Sequence, residues 1–200
     1  MSSSKAPARG RPRAFDEDRF LDTAIALFSH TGFAGISLST LTSASKLTVG
    51  SIYKAYGDKA GVFASALERY IALREADLEQ RLTPLSNARD RIATLLEYYL
   101  NLSQGHDGRL GCMVVTGVTE IEQVGDAAAI LRHQLTSRRQ VLSRLVSEGH
   151  QDGSIARHVE CETTADLLLA LFQGMRVVGR AGDLTHDNTA FVNQALRLLE

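Results

Sequence analysis

A short run of small, hydroxyl-bearing and basic residues carries the most specific chemistry in this 200-residue chain. From residue 48 it reads TVGSIYKAYGDK, so that Tyr53, Lys54 and Lys59 stand among several small or hydroxyl-bearing residues. Lysine and tyrosine side chains bind phosphates, and a helix with small exposed residues lets its backbone approach the base edges of a major groove. This run therefore predicts binding to double-stranded DNA.

Helix-start signals around this run predict a helix-turn-helix. Asp16 is a candidate N-cap for a first helix, and a second short helix begins after Ser37 and breaks near residues 46–47. Thr48 can cap a third helix, which buries Ile52 and leaves most of its other side chains exposed. Two short helices joined by a tight turn, the second with an exposed polar face, are the parts of a DNA-reading helix pair.

The segment that contains this helix pair resembles the DNA-binding domain of the TetR family. It reads TGFAGISLSTLTSASKLTVGSIYKAYGDKAGVFASAL, and with the preceding GRPRAFDEDRFLDTAIALF the match covers about residues 10–71. Its most specific pattern consists of Ile52-Tyr53, Tyr56, Asp58-Lys59 and Val62-Phe63. The resemblance implies a transcription regulator of the TetR/AcrR type that binds operator DNA.

The resemblance also implies roles for individual DNA-binding residues. The residues expected mainly to contact phosphates are Thr48, Ser51, Tyr53 and Lys59. Those expected nearest the bases are Val49, Gly50 and Lys54. In the N-terminal arm, Arg11 and Arg13 are expected to enter a minor groove or neutralise the DNA backbone, with simple solubility as the alternative role of the arm.

Composition and periodicity favour an all-α protein. Apolar residues make up 44% of the chain and charged residues 22%, and the chain has only three prolines. Apolar side chains recur at helical spacing in four segments, residues 19–28, 62–71, 130–146 and 164–178. With the resemblance, we expect an N-terminal three-helix helix-turn-helix domain followed by a C-terminal helical ligand-binding and dimerisation domain.

Charge divides the chain in the same way as the expected domains. We expect a flexible basic arm at residues 1–14, a helix-turn-helix domain at 15–60 and a regulatory domain at 61–200. Residues 1–60 carry a net charge of +3 and the remainder −4. A basic module joined to an acidic body is typical of a nucleic-acid-binding protein.

Several functional classes lack their signatures in this sequence. No segment reaches the roughly 18 consecutive apolar residues of a membrane span, and the N-terminus lacks the apolar stretch of a signal peptide. Cys112 and Cys161 lack the paired spacing of a zinc site, and no enzyme motif is present. We therefore expect a cytoplasmic protein without a metal, a cofactor, a catalytic activity or a membrane partner.

The resemblance implies that the last two long helices pair with those of a second copy. A homodimer of this kind would bind a palindromic operator. The apolar residues expected at the dimer interface are Leu168, Phe172, Met175, Phe191 and Leu196.

By the same resemblance, a small-molecule effector is expected among the middle helices. The favoured lining residues are Tyr99, Met113, Thr116, Glu120, His133 and Phe172, with Tyr98, Thr119 and Gln134 as further candidates. Aromatic and methionine residues at helical spacing are more often core than pocket, so most of this set is also compatible with packing alone.

Cys112 supports a separate hypothesis. It lies in RLGCMVV, a run that resembles a subset of TetR-type regulators, some of which sense oxidants or electrophiles through cysteine. A thiol at a helix start, with Arg109 and His106 near it in sequence, is a candidate reactive group. Simple core packing is the alternative reading of this residue. Effector-independent regulation and activation instead of repression also stay open.

Overall fold

The computed structural model describes residues 16–182, 184 and 187–200. Every regular element in this part of the chain is a helix, which confirms the all-α prediction. Apolar residues at helical spacing meet in the interior, and polar residues face outward.

The first three helices are α1 (Glu17–Thr31), α2 (Leu38–Ser45) and α3 (Val49–Tyr56). Each begins at its predicted cap, because the side chains of Asp16, Ser37 and Thr48 each accept a hydrogen bond from the backbone N–H three residues on. The tight turn before α3 passes through Lys46, which has a left-handed φ of 59°. The predicted helix-turn-helix is therefore present.

The rest of the described chain continues as helices of very different lengths. They are α4 (Lys59–Leu82), α5 (Ala88–Leu102), α6 (Gly105–Leu110), α7 (Met113–Thr119), α8 (Ala127–Asp152), α9 (Cys161–Ala181) and α10 (Asn188–Ala195), followed by a 3₁₀ turn at Leu196–Leu199.

The glycine-rich stretch before α7 is mostly helical, since it forms α6. A Cβ on Gly108 would lie 2.5 Å from the backbone oxygen of Ser103, and one on Gly179 of α9 only 2.0 Å from that oxygen. These glycines therefore let α5, α6 and α9 approach closely rather than breaking a helix.

Two apolar clusters form the interior. The first joins α1, α2 and α3 to the first half of α4, to α7 and to the start of α8. The second joins the end of α4 to α5, α9, α10 and the rest of α8. The proposed boundary between residues 60 and 61 thus lies just inside α4, a single helix that packs in both clusters.

Candidate DNA-binding and effector sites

One face of α3 is free of the rest of the chain. Ile52 is fully buried and anchors the helix, whereas Val49 and Tyr53 are 45% and 52% exposed. The exposed positions of α3 and its cap that we predicted as DNA contacts are Thr48, Val49, Gly50, Ser51, Tyr53 and Lys54. A Cβ on Gly50 would meet no atom within 4 Å, so this face is open to close approach. The structure brings these six residues together on one short element.

Thr48 and Ser51 also stabilise α3 itself. The Thr48 hydroxyl accepts from the Ser51 N–H at 3.2 Å and lies 2.9 Å from the Ser51 hydroxyl. Removal of an N-cap of this kind costs about 1 kcal/mol. A substitution at Thr48 therefore changes the helix as well as any contact with DNA.

Lys59 differs from the other predicted phosphate ligands because its charged group contacts a residue that is distant in the sequence. Its ammonium group donates to the Phe33 backbone oxygen at 3.0 Å and lies 4.0 Å from the centre of the Phe33 ring. An ammonium has three N–H donors, so one phosphate contact is compatible with this arrangement. The contact between Lys59 and Phe33 could not be predicted from the sequence, because the two residues are 26 positions apart.

The remaining predicted DNA contacts, Arg11 and Arg13, lie outside the described residues. Lys46 is a further cation that the sequence analysis treated only as a helix breaker. It is exposed in the turn immediately before α3.

A small cavity of about 40 Å³ lies where the two apolar clusters meet. Its walls come from α4, α5, α8 and α9 and from the start of α7. The lining residues are Tyr70, Ile71, Arg74, Tyr98, Tyr99, Leu102, Cys112, Val114, Gln134, Leu135, Arg138, Gln173 and Arg176. Aromatic, apolar and cationic side chains thus converge on one partly enclosed space.

Arg138 and Arg176 are the buried cations of this cavity. Their exposed fractions are 9% and 2%. Arg176 donates through Nη2 to the backbone oxygen of Gly111, immediately before Cys112. Its Nε and Nη1, and the Nε of Arg138, have no hydrogen-bond partner among the described residues.

Cys112 and three tyrosines complete the polar part of the cavity. Cys112 is buried, and the Tyr70 hydroxyl lies 3.5 Å from its sulfur. Burial, and next the neighbouring Cys112 thiol, raise the pKa of Tyr70, and burial also raises the pKa of Tyr98 and of Tyr99. These phenols therefore stay protonated and remain O–H donors in neutral solution.

The predicted ligand-binding residues divide into two groups. Tyr99 lines the cavity, as do the further candidates Tyr98 and Gln134. Phe172 lies against it, since its ring stacks on that of Tyr99 with centroids 4.4 Å apart.

The other four favoured ligand-binding residues do not line this cavity. Met113 is fully buried in the first cluster, and His133 is exposed on α8. Thr116 donates to the Phe28 backbone oxygen at 3.3 Å, and Glu120 binds the loop after α1. Sequence spacing placed them on the right elements but could not show which side of each element faces the cavity.

Glu120 and Arg180 connect the reading head, which consists of α1, α2 and α3, to the rest of the molecule. The Glu120 carboxylate accepts from the backbone N–H groups of Phe33 and Ala34 at 2.5 and 3.1 Å. Arg180 on α9 donates to the backbone oxygens of Ser29 and His30, near the end of α1. Both contacts hold the connection between α1 and α2.

A glycine between these contacts is required by two independent constraints. Gly32 has a φ of +82°, a conformation that side chains rarely adopt. A Cβ there would lie 2.8 Å from a Glu120 carboxylate oxygen. The turn and the carboxylate thus fit together only without a side chain at this position.

The neighbours expected for Cys112 also need correction. Cys112 is the residue before α7, as predicted, but His106 and Arg109 are exposed on α6 and do not line the cavity. Tyr70 and Arg176, which are distant in sequence, line the cavity beside it.

The dimerisation residues named from the sequence lie mostly inside the subunit. Leu168, Phe172, Met175 and Leu196 are buried inside the second cluster, and the partly exposed Phe191 packs against that cluster. In a single subunit the four buried side chains stabilise the core and leave little surface for another chain. The helix α9 is apolar on several faces, and its spacing alone did not distinguish the face that packs internally from the face that is exposed.

The exposed face of α9 carries a second apolar stripe. Leu167, Val177 and Val178 are 50%, 56% and 47% exposed, and the exposed Ala170 and Gly174 lie between them at helical spacing. A Cβ on Gly174 would meet no atom within 4 Å. This stripe is therefore an uncovered surface suited to close helix packing.

The described residues contain neither a metal-binding cluster nor a membrane-spanning helix. No group of three or more His, Cys, Asp or Glu side chains in the described part of the chain is placed to hold a metal ion. Over the same residues, no helix is long and apolar enough to cross a membrane.

Comparison with known proteins identifies two family matches along the chain. Residues 20–66 match the family described as "Bacterial regulatory proteins, tetR family". Residues 88–195 match the family described as "Tetracyclin repressor-like, C-terminal domain". The two matches together cover both the helix-turn-helix and most of the helices that follow it.

Individual relatives agree with these matches over nearly the whole chain. The HTH-type transcriptional repressor ComR of Escherichia coli (strain K12) is 27% identical over 195 residues, which cover 96% of this chain and 92% of ComR. A cysteine mutant of the TetR family transcriptional regulator CifR, solved with a 26-base-pair operator DNA, is 30% identical with a TM-score of 0.81. That match covers 96% of this chain and 100% of the CifR chain.

A more distant structure shows the same fold. The reduced form of E. coli NemR is 22% identical with a TM-score of 0.77, and the match covers 92% of this chain and 97% of NemR.

Proposed function

This chain belongs to the TetR family as a DNA-binding transcriptional repressor, and we propose that it acts as a homodimer that an effector releases from a palindromic operator. The observation that carries the proposal is the exposed face of α3 together with a second exposed face on α9. The helices between the two faces enclose the cavity. Operator DNA lies in the bacterial cytoplasm, and we place the repressor there.

The proposed DNA contacts are those of the exposed α3 face. Tyr53 and Ser51 would bind phosphates, while Val49, Gly50 and Lys54 would lie nearest the bases. The relative CifR was solved with operator DNA, which supports a DNA-binding role for the matching helix-turn-helix here. Ile52 and Tyr56 anchor α3 to the core, the latter by stacking on Phe20, and the opposite face of the helix is left for the groove.

The proposed dimer forms through the exposed stripe on α9. Because Leu167, Val177 and Val178 are apolar and uncovered in one subunit, pairing with a second copy would remove them from water. Gly174 would let the two α9 helices approach closely. A two-fold dimer of this kind presents two α3 helices to two inverted half-sites.

The proposed route of regulation runs from the cavity to the reading head through α7 and α9. Cys112 at the start of α7 lines the cavity, and Glu120 just after its end holds the backbone of Phe33 and Ala34. On α9, Arg176 lines the cavity and Arg180, one turn later, holds the end of α1. A ligand that shifts α7 or α9 would therefore move the two α3 helices out of register with successive major-groove faces.

Mapping of genomic binding sites, followed by titration of the recovered operator with candidate effectors, tests this mechanism. The free energy of coupling between ligand and operator is typically about 1–3 kcal/mol, and it is reciprocal. If the ligand weakens operator binding by some factor, the operator must weaken ligand binding by the same factor. Equal ligand affinity with and without operator would contradict release by an effector.

The position of Cys112 favours a second candidate, the sensing of electrophiles. The sulfur lines the cavity beside Tyr70, so a compound in the cavity would meet it. The thiol would add across an activated double bond, forming a carbon–sulfur bond while its proton passes to the neighbouring carbon. A Cys112→Ser variant should keep operator binding and lose the response, with Cys161→Ser as the matched control. Response retained in Cys112→Ser would exclude this candidate.

A further inference from the structure

The cavity contains more positive charge than the surrounding protein compensates. Arg74, Arg138 and Arg176 all line it. Among the described residues, one of these three arginines forms an ion pair, and that pair is long. Arg138 Nη2 lies 3.7 Å from Oε1 of Glu75, which is half exposed. Arg176 instead donates to the backbone oxygens of Gly111 and Asp107.

A buried guanidinium without an anion is costly. Taking an ion out of water costs several kcal/mol unless a counter-charge and hydrogen bonds replace the lost hydration. Arg176 is only 2% exposed, and two of its three side-chain nitrogens have no hydrogen-bond partner among the described residues. The Nε of Arg138 is in the same state. These unused donors require an acceptor that the described chain does not provide.

The chemistry of the donors and walls indicates what the acceptor is. A guanidinium presents its N–H groups as a planar fork that matches a carboxylate. Most of the remaining wall is apolar or aromatic, including Leu102, Val114, Leu135 and Tyr99, whose ring is stacked flat on Phe172, and the amides of Gln134 and Gln173 complete it. A cavity of about 40 Å³ has room for only a few non-hydrogen atoms.

We infer that this cavity binds a small organic carboxylate, with its charged end between Arg138 and Arg176 and its short apolar end against Tyr99. The inference rests on the proposed effector site, and it names the chemical class of the effector. The apolar wall selects an organic acid over an inorganic anion, since phosphate would leave that wall without a partner.

Calorimetric titration of the DNA-free, full-length protein with propionate and butyrate tests the inference. We expect saturable binding with one carboxylate per subunit, while propionamide and butyramide, which have the same shape without the charge, do not bind. The same titration with phosphate should give no saturable binding. Failure of both carboxylates to bind, or equal binding of the amides or of phosphate, would overturn the inference.

Substitutions locate the binding. Arg176→Met and Arg138→Met should each weaken propionate binding about 10–100-fold, the effect of losing a charge-assisted hydrogen bond. Arg144→Met, the same change at an exposed position of α8, should leave it unaltered. If Arg176→Met does not fold, Arg138→Met decides the question alone. Equal affinity in wild type and Arg138→Met would overturn the proposed binding mode.

A separate measurement distinguishes this inference from the proposed function. Carboxylate binding that depends on the two arginines but leaves operator affinity unchanged would support the site and contradict its role as the effector site. Operator release by a neutral compound, with no carboxylate binding, would overturn the inference and retain the repressor mechanism.

Discussion

At the scale of single residues, the exposed α3 side chains have separable tasks. The Tyr53 ring and hydroxyl are exposed and suit a phosphate, whereas the neighbouring Lys54 is an exposed cation that we propose to lie nearest the bases. Lys59 is less easily tested, since its ammonium also binds Phe33. Tyr53 and Lys54 are therefore the informative positions.

We expect Tyr53→Ala to weaken binding to all DNA sequences by a similar factor. Lys54→Ala should instead change base preference by about 1–3 kcal/mol at one position of each half-site. Neither change should alter the thermal unfolding midpoint appreciably, since both side chains are exposed. Fluorescence anisotropy with operator and scrambled duplexes measures this, with Arg144→Ala on α8 as the control. Wild-type affinity in both folded variants would contradict the assignment.

At the scale of elements, α7 links the cavity to the reading head. Glu120 lies just beyond its C-terminal end and accepts two backbone hydrogen bonds from the loop after α1. Hydrogen bonds to charged groups contribute about 1.5–3 kcal/mol each. The Glu120 carboxylate therefore stabilises the loop after α1, although the two are far apart in the sequence.

Glu120→Gln should loosen the loop after α1 while leaving the core intact. The amides of Phe33 and Ala34 should exchange with deuterium about 10–100-fold faster, because the acceptor loses its charge. Hydrogen exchange read by NMR measures this effect, and Glu122→Gln, an exposed carboxylate two residues along, is the matched control. Unchanged protection at Phe33 and Ala34 would show that Glu120 does not hold the loop.

The helix α9 separates the stability of the subunit from dimer formation. Leu167→Asp or Val177→Asp should yield a folded monomer, since these side chains are exposed in one subunit and proposed to meet the second. Leu168→Asp should instead unfold the subunit by placing an unpaired charge in the second cluster. Sedimentation and circular dichroism measure both properties. A Leu167→Asp variant that remains dimeric would place the interface elsewhere.

The helices and caps were predictable because their signals are local. Asp16, Ser37 and Thr48 each identify a helix start within a few residues. The internal face of α9 and the partners of Lys59 and Cys112 were not predictable, because Phe33, Tyr70 and Arg176 come from distant parts of the chain. A hydrophobic period shows that a side chain is buried but not which neighbour buries it.

At the scale of the whole molecule, the cavity lies between the helix-turn-helix and α9. The reading helices share an apolar cluster with α4, α7 and the start of α8, and the cavity lies between that cluster and the one that contains most of α9. We therefore expect a ligand in the cavity to act on the contact between the helix-turn-helix and the proposed dimer helix α9. The net charge of +3 on residues 1–60 directs the reading end towards DNA, while the acidic remainder disfavours non-specific contacts elsewhere.

We propose that two copies of this chain bind an operator through paired α3 helices, and selection of bound duplexes from a randomised DNA pool tests this proposal. We expect enrichment of an inverted repeat whose half-sites are about 10 base pairs apart, or a multiple of that distance, with Tyr53→Ala abolishing the enrichment. Enrichment of a single half-site, or of no sequence at all by the folded wild-type protein, would contradict the account.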